Sequence, residues 1–309
     1  MSGISAVLVK RLRETTGAGM MDCKRALEET KGDFEVAIDW LRKKGIAAAS
    51  KKSSRVAAEG LVAVAFNANK TVGAVIELNS ETDFVARNNK FQKLVGYITT
   101  AAVNVDTLEH LKEAKLFTGR TVKDELTENI AVIGENLNLR RMTKISVKNG
   151  LVASYVHNDV ATDMGKIAVL VGLESNINAA KLQTFGKQLA MHIAAAKPIA
   201  LNIEQIDIKS VQREKDIFSE QAKNSGKSQD IIDKMIEGRI KKFYQEVVLL
   251  EQVFVIDGNT RVQDIICNFA TDNHGEIKVT GFASFELGQG IEKKEEDFVS
   301  EVATVIGNK

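Results

Sequence analysis

The 309-residue chain is 44% hydrophobic and 27% charged, the balance of an ordinary globular protein with length for one large domain or two. Forty-two basic residues meet forty-one acidic ones, so a formal charge of +1 gives no general attraction to nucleic acid or anionic lipid, and a partner recognised by shape is expected. Cys23 and Cys267 stand far apart without a CxxC or a histidine pair, which argues against a disulfide framework or zinc site and for a reducing compartment. The N-terminus has no continuous apolar stretch of the kind a secretory signal carries, and no apolar run approaches the roughly 20 residues of a membrane span. The cytoplasm is therefore the expected location.

Residues 1–45 carry apolar positions in three short helical bursts: Val7, Leu8 and Leu12; Ala26 and Leu27; Phe34, Ala37, Ile38 and Leu41. The spacing predicts a three-helix module, with "TTGAG" dividing the first two helices and Asp33 capping the third. Residues 46–56, small and basic with no pattern that demands burial, read as a solvated linker. An alternative gives the basic run Lys43 to Arg55 to RNA phosphates, as in a translation-associated RNA-binding protein.

An internal repeat follows. "GLVAVAFNANKTVGAVIELNSETDFVARNNKFQKLVGYITTAA" begins at Gly60, and "GLVASYVHNDVATDMGKIAVLVGLESNINAAKLQTFGKQLAMHIAAA" begins at Gly150. Gly73 matches Gly165 and Phe91 matches Phe185. Each copy reads as strand, turn, strand and alanine-rich helix, followed later by a further strand, "RRMTKISV" or "EIKVTGFASFEL". The fold class is therefore α+β, with two related subdomains at 57–148 and at 149–205 plus 252–290. Between the parts of the second copy, residues 206–251 hold two narrow apolar stripes. Ile208, Val211 and Phe218 mark one, and Ile236, Ile240, Phe243, Val247 and Leu250 the other; they predict an inserted antiparallel helical hairpin. A C-terminal helical module is expected over 291–309.

Within the first copy, "NSETDFVARN" sets Phe84 among polar residues where a strand gives way to a helix. Matching the glycines of the copies sets Phe84 opposite Asn176, so the fold admits a polar residue at this place and an exposed ring is expected. Ser80 and Asp83 have the form of a capping box. Motifs for chemistry are absent: no phosphate-loop, dinucleotide, nucleophile-elbow or HExxH pattern occurs. The four histidines are scattered, and His192, on an apolar helix, reads as a satisfied core group. A binding protein without cofactor, metal or enzymatic activity is expected.

Six ordered motifs, "LRETTGAGMMDCKRALEETKGDFEVAIDWLRKKG", "ELNSETDFVARN", "IGENLNLRRM", "MHIAAAKP", "KMIEGRIKKF" and "VTGFASFELGQGIEK", closely resemble the translation elongation factor Ts family. The resemblance implies a guanine nucleotide exchange factor for elongation factor Tu. It also implies an N-terminal module similar to ubiquitin-associated (UBA-like) bundles, a two-subdomain core and a protruding coiled coil. Thr82, Asp83, Phe84 and Val85 match the motif that intrudes near the partner's magnesium site. Arg13, Met20 and Met21 match contacts to a helix of the partner's nucleotide domain. Ile133, Gly134, His157, Val255 and Ile256 would extend that surface, although Val253 and Ile256 depart from the residues common in relatives.

Overall fold

A computed structural model describes residues 4–223 and 228–292. Three helices open the chain: α1 (Ala6–Thr16), α2 (Met20–Glu29) and α3 (Phe34–Lys52). Gly17 ends α1 in the left-handed region at φ 70°, and the Asp33 carboxylate accepts from the Val36 N–H at 3.0 Å, the cap its position predicts. Leu12, Ala26, Leu27 and Ala37 fill a small core. Val7 faces solvent, and Val9 takes the buried place on that helix.

Of the expected linker 46–56, residues 46–52 are helical and 53–56 belong to the connection to the first strand. Helix α3 continues through Lys52 and lies against α7 (Val122–Ile133). A Cβ on Gly45 would stand 3.3 Å from the Ala131 Cβ, Ala49 packs on the first core, and Lys52 Nζ donates to the Ile130 carbonyl at 3.4 Å. The run is small in side chain because one helix crosses another there, where bulk would force the axes apart. Lys44 is paired with Asp22, so part of the basic run is engaged inside the chain.

Antiparallel strands β1 (Glu59–Phe66), β2 (Val72–Ser80) and β3 (Asn138–Ser146) form one sheet. The two-residue β5 (Met164–Gly165) joins the free edge of β1, giving the order β3-β2-β1-β5. A second sheet has the order β4 (Gly150–His157), β6 (Ile167–Ser175), β7 (Ile277–Glu286). The sheets meet through Val62, Val64, Val75, Val152, Leu170 and Phe285. On its other face the first sheet is covered by α4 (Asp83–Ala86), α5 (Asn89–Ala102), α6 (Leu108–Glu113) and α7. The second is covered by α8 (Ala179–Ala196) and, after an inserted hairpin, by α11 (Val262–Asp272). Both faces of β2 and β6 are buried, so apolar residues follow one another along them instead of alternating with polar ones, with Glu77 the exception inside β2.

Strand pairing corrects the register between the copies. Gly60 and Gly150 have φ of 119° and 128°, and a Cβ on either would stand 2.2 or 2.0 Å from the carbonyl oxygen of Leu78 or Leu173. Pairing to the third strand shifts between Glu77 and Leu78 in one copy and between Gly172 and Leu173 in the other. Ser80 therefore answers to Ser175, and Phe84 falls opposite Ala179 rather than Asn176. The glycine match fails because Gly165 lies in β5, within a longer connection that the first copy lacks. The same pairing sets Asn136 opposite Glu276 and Glu135 opposite Gly275.

The hairpin consists of α9 (Ile208–Lys223) and α10 (Gln229–Val247). Val211, Phe243 and Val247 all pack on the small cluster of Ala200, Ile206 and Val248, while farther along Arg239 lies over the Phe218 ring at 5.7 Å, so the helices run antiparallel. Ile208, expected on the buried stripe, is exposed. Leu250 leaves the stripe for a 3-10 turn and packs on the second core. Residues 293–309, and with them the expected C-terminal module, lie outside the described residues.

One buried carboxylate joins the halves. Glu77 on β2 accepts from Arg141 Nε at 2.5 Å, Arg140 Nη1 at 3.1 Å, Asn79 Nδ2 at 3.0 Å and the Gly288 N–H at 2.8 Å, beyond the end of β7. Burial works to raise its pKa, but the bonds from Gly288, Asn79 and Arg141, with the Arg141 charge, outweigh it and hold the carboxyl below its usual value. A depressed carboxyl stabilises the fold above the unfolded value of about 4.3, and this is lost as pH falls through the folded pKa. Glu77→Gln is expected to cost about 2–4 kcal/mol at pH 7, with the gap to wild type narrowing below about pH 4. Urea denaturation at both pH values measures it.

Candidate partner-binding surface

The segment after β2 is built to hold one ring outside. Helix α4 is a single turn whose N-cap, Thr82, makes no side-chain capping bond, and the expected Ser80–Asp83 capping box does not form. Ser80 still belongs to β2, and its hydroxyl donates to the Thr82 carbonyl at 2.9 Å. The turn ends as the Arg87 and Asn88 N–H groups bond back to Phe84 and Val85. Helix α5 then starts afresh, with the Asn88 side chain accepting from the Lys90 N–H at 2.8 Å. In the second copy, by contrast, α8 runs unbroken.

Within the turn, Val85 is 7% and Ala86 2% exposed, both in the first core, whereas Phe84 is 79% exposed. Val85 is therefore an anchor beneath the ring, so of the two neighbours it is Phe84 that meets solvent. Asp83 is partly exposed and pairs with Arg87 at 3.6 Å.

The loop after α7 grips this tip. Glu135 accepts from the Thr82 N–H at 2.9 Å and from the Thr82 hydroxyl at 2.6 Å. In the opposite sense, Glu81 accepts from the Asn136 N–H at 2.6 Å and lies 3.5 Å from Arg55, while Asn136 Nδ2 donates to the Arg55 carbonyl at 2.8 Å. Two carboxylates thus cross between "SETD" and "IGEN", and Arg55 ties them to the chain just beyond α3. Sequence reasoning missed Glu81 and Glu135. Both lie in the quoted motifs, but an acid in a loop carries no local sign of a partner more than fifty residues away.

The other expected residues fall in two groups. Ile133 is half-buried on the first core, and Gly134 is exposed, closing α7 at φ 91°. Arg13, Met20 and Met21 are exposed around the α1–α2 turn, where a Cβ on Gly17 would stand 3.7 Å from Val132. The α1–α2 turn, the end of α7 and the Phe84 tip therefore adjoin one another. His157, Val255 and Ile256 belong to the second half. His157 is exposed, with Nδ1 2.9 Å from the Tyr155 hydroxyl.

Val255 and Ile256 are 47% and 50% exposed on a loop held from below by His192. The buried His192 accepts from the Val255 N–H at Nδ1 (3.2 Å), so its Nε2–H donates to Gln252 Oε1 at 2.9 Å. Burial lowers its pKa and the Gln252 bond opposes that, so the neutral ring is the folded form. His192 is the satisfied core histidine expected of it.

The profile of the family described as Elongation factor TS matches residues 81–289. Proteins named elongation factor Ts match almost end to end. The Rhodospirillum centenum protein is 54% identical across 99% of this chain and all of its own length. That of Rickettsia bellii is 52% identical over 98% of each, and that of Gluconobacter oxydans 51% identical over the whole of both. The chain belongs to the elongation factor Ts family.

Elongation factor Ts membership accounts for the order of the six motifs, and the matched region opens at Glu81, one of the two crossing carboxylates. No described helix is long and apolar enough to cross a membrane. For the tip, packing and exposure separate cleanly. Val85→Ala is expected to lower stability by about 1–3 kcal/mol, and Phe84→Ala to leave it within about 0.5 kcal/mol. Equilibrium urea unfolding of the two variants measures the contrast.

Proposed function

We propose that the protein is the guanine nucleotide exchange factor of elongation factor Tu, binding the GDP-bound partner and speeding GDP release by disturbing its magnesium and phosphate site. One observation carries the reading: Phe84 is held 79% exposed on a turn whose next two residues are buried. A ring so placed gains by insertion into another protein what it forgoes in its own core, roughly 1.5–3 kcal/mol. Magnesium requires near-ideal octahedral oxygen geometry and is shared between phosphate oxygens and few protein ligands, so a small displacement of those ligands leaves phosphate charge unbalanced.

The ring does not act alone. A thousandfold faster release needs about 4 kcal/mol of barrier lowering, more than one phenyl group supplies. The exposed Arg13, Met20, Met21 and Gly134 beside the tip, and His157, Val255 and Ile256 on the second half, offer further area whose binding energy would serve to distort the partner's site. Thr82 and Asp83 set and flank the ring. Linkage makes the effect reciprocal: nucleotide weakens the complex by the same factor by which the complex weakens nucleotide, so the factor is released when GTP enters. Against the RNA-binding alternative, Lys44, Lys52 and Arg55 of the basic run are already engaged by Asp22, the Ile130 carbonyl and Glu81, which leaves fewer of its cations for phosphate.

Stopped-flow release of a fluorescent GDP analogue from elongation factor Tu is expected to accelerate with added protein. Phe84→Ala is expected to lower that acceleration about 10- to 100-fold while remaining folded. Release at the intrinsic rate with wild type present would refute the reading.

A further inference from the structure

The duplicated halves supply a comparison that singles out one residue. In both copies the loop after the second strand is clamped to the loop before the last strand by the same bond. Glu81 accepts from the Asn136 N–H at 2.6 Å, and at the matching place the Asn176 Oδ1 accepts from the Glu276 N–H at 2.8 Å. That clamp belongs to the shared frame. The bond pair from Thr82 to Glu135 does not. Glu135 answers to Gly275, which has no side chain, and a Cβ there would stand 2.4 Å from Ile177 Cγ1, the residue that answers to Thr82. The extra carboxylate thus occurs only in the copy whose helix is broken after one turn and whose ring faces outward.

We propose that Glu135 is a positioning residue for Phe84, acting on the partner only through the direction in which the ring is held. The proposal rests on the exchange reading above. A four-residue turn does not sustain itself, since nucleation fixes several dihedrals for a single backbone bond. Val85 and Ala86 hold it from below, which fixes its depth. Glu135 takes both Thr82 donors with its two oxygens and so sets the peptide that enters the turn (Thr82 φ −122°, ψ 159°), two residues before the ring. Removing the carboxylate leaves Phe84 attached but free to swing about that entry.

A double-mutant cycle in the nucleotide-release assay tests this. Glu135→Ala is expected to lower the maximal release rate about tenfold, with the half-saturating concentration unchanged within about twofold, since misaimed groups lose rate before they lose binding. Glu135→Gln, which keeps one accepting oxygen, is expected to recover part of the loss. In a Phe84→Ala background, Glu135→Ala is expected to add less than about a twofold further loss, because the ring it aims is gone. Thr82→Val, which removes the hydroxyl donor and keeps the N–H, gives a second route through the same cycle if Glu135→Ala folds poorly. Full additivity with Phe84→Ala, or wild-type rates for Glu135→Ala and Thr82→Val, would overturn the positioning role while leaving exchange activity standing. Failure of wild type itself to speed release would overturn both.

Discussion

The exposure of Phe84 depends on the burial of the two residues that follow it. Val85 and Ala86 drop into the core between β1, β2 and α5, and the chain then breaks before Asn88 begins a new helix. A continuous helix carries its residues round a cylinder, and its apolar face turns inward with the packing. An isolated turn pinned from beneath sends one side chain to solvent. The second copy makes the contrast: there the helix is unbroken and the matching residue is Ala179. A large ring left in water is a cost, and the anchors around it are what keep the chain from relieving that cost by folding the ring inward.

The frame behind the tip is stiff for reasons that can be located. Two small sheets lie back to back, each covered by helices on its outer face, so neither half presents an open sheet face to water. The buried Glu77 receives Arg140 and Arg141 from β3 and the Gly288 N–H from beyond β7, binding the sheets through charge as well as packing. The close crossing of α3 and α7 at Gly45 and Ala131 brings the N-terminal module into the same body. Arg55, just past α3, reaches Glu81 at the base of the tip. A push on the ring is therefore resisted by the whole first half and by the module docked against it.

The duplication shows how one architecture takes two roles. Strand order, the bulge in the central pairing and the left-handed glycine at the start of each copy are shared, because they are conditions for the sheet to form. Glu135 against Gly275, Phe84 against Ala179 and the hairpin inserted after α8 are not shared, and each lies at the rim, where substitution leaves the cores intact.

Sequence alone determined what depends on neighbours a few residues away. Apolar spacing marked the three N-terminal helices and the hairpin; Asp33 marked its cap; and the repeat implied two related α+β halves, while the exposed ring was expected from a match to Asn176 that the strand register does not keep. Tertiary structure decided the rest. The small residues of 46–52 carry no helical stripe because their partner is another helix at close approach. The register between copies was hidden by a glycine that belongs to an extra strand. Val85 is indistinguishable from Phe84 by pattern, and only the core beneath shows which of them is inside. The bonds from Thr82 to Glu135 span 53 residues of chain. Such a contact is set by where two loops meet in space, and local chemistry along the chain holds no trace of it.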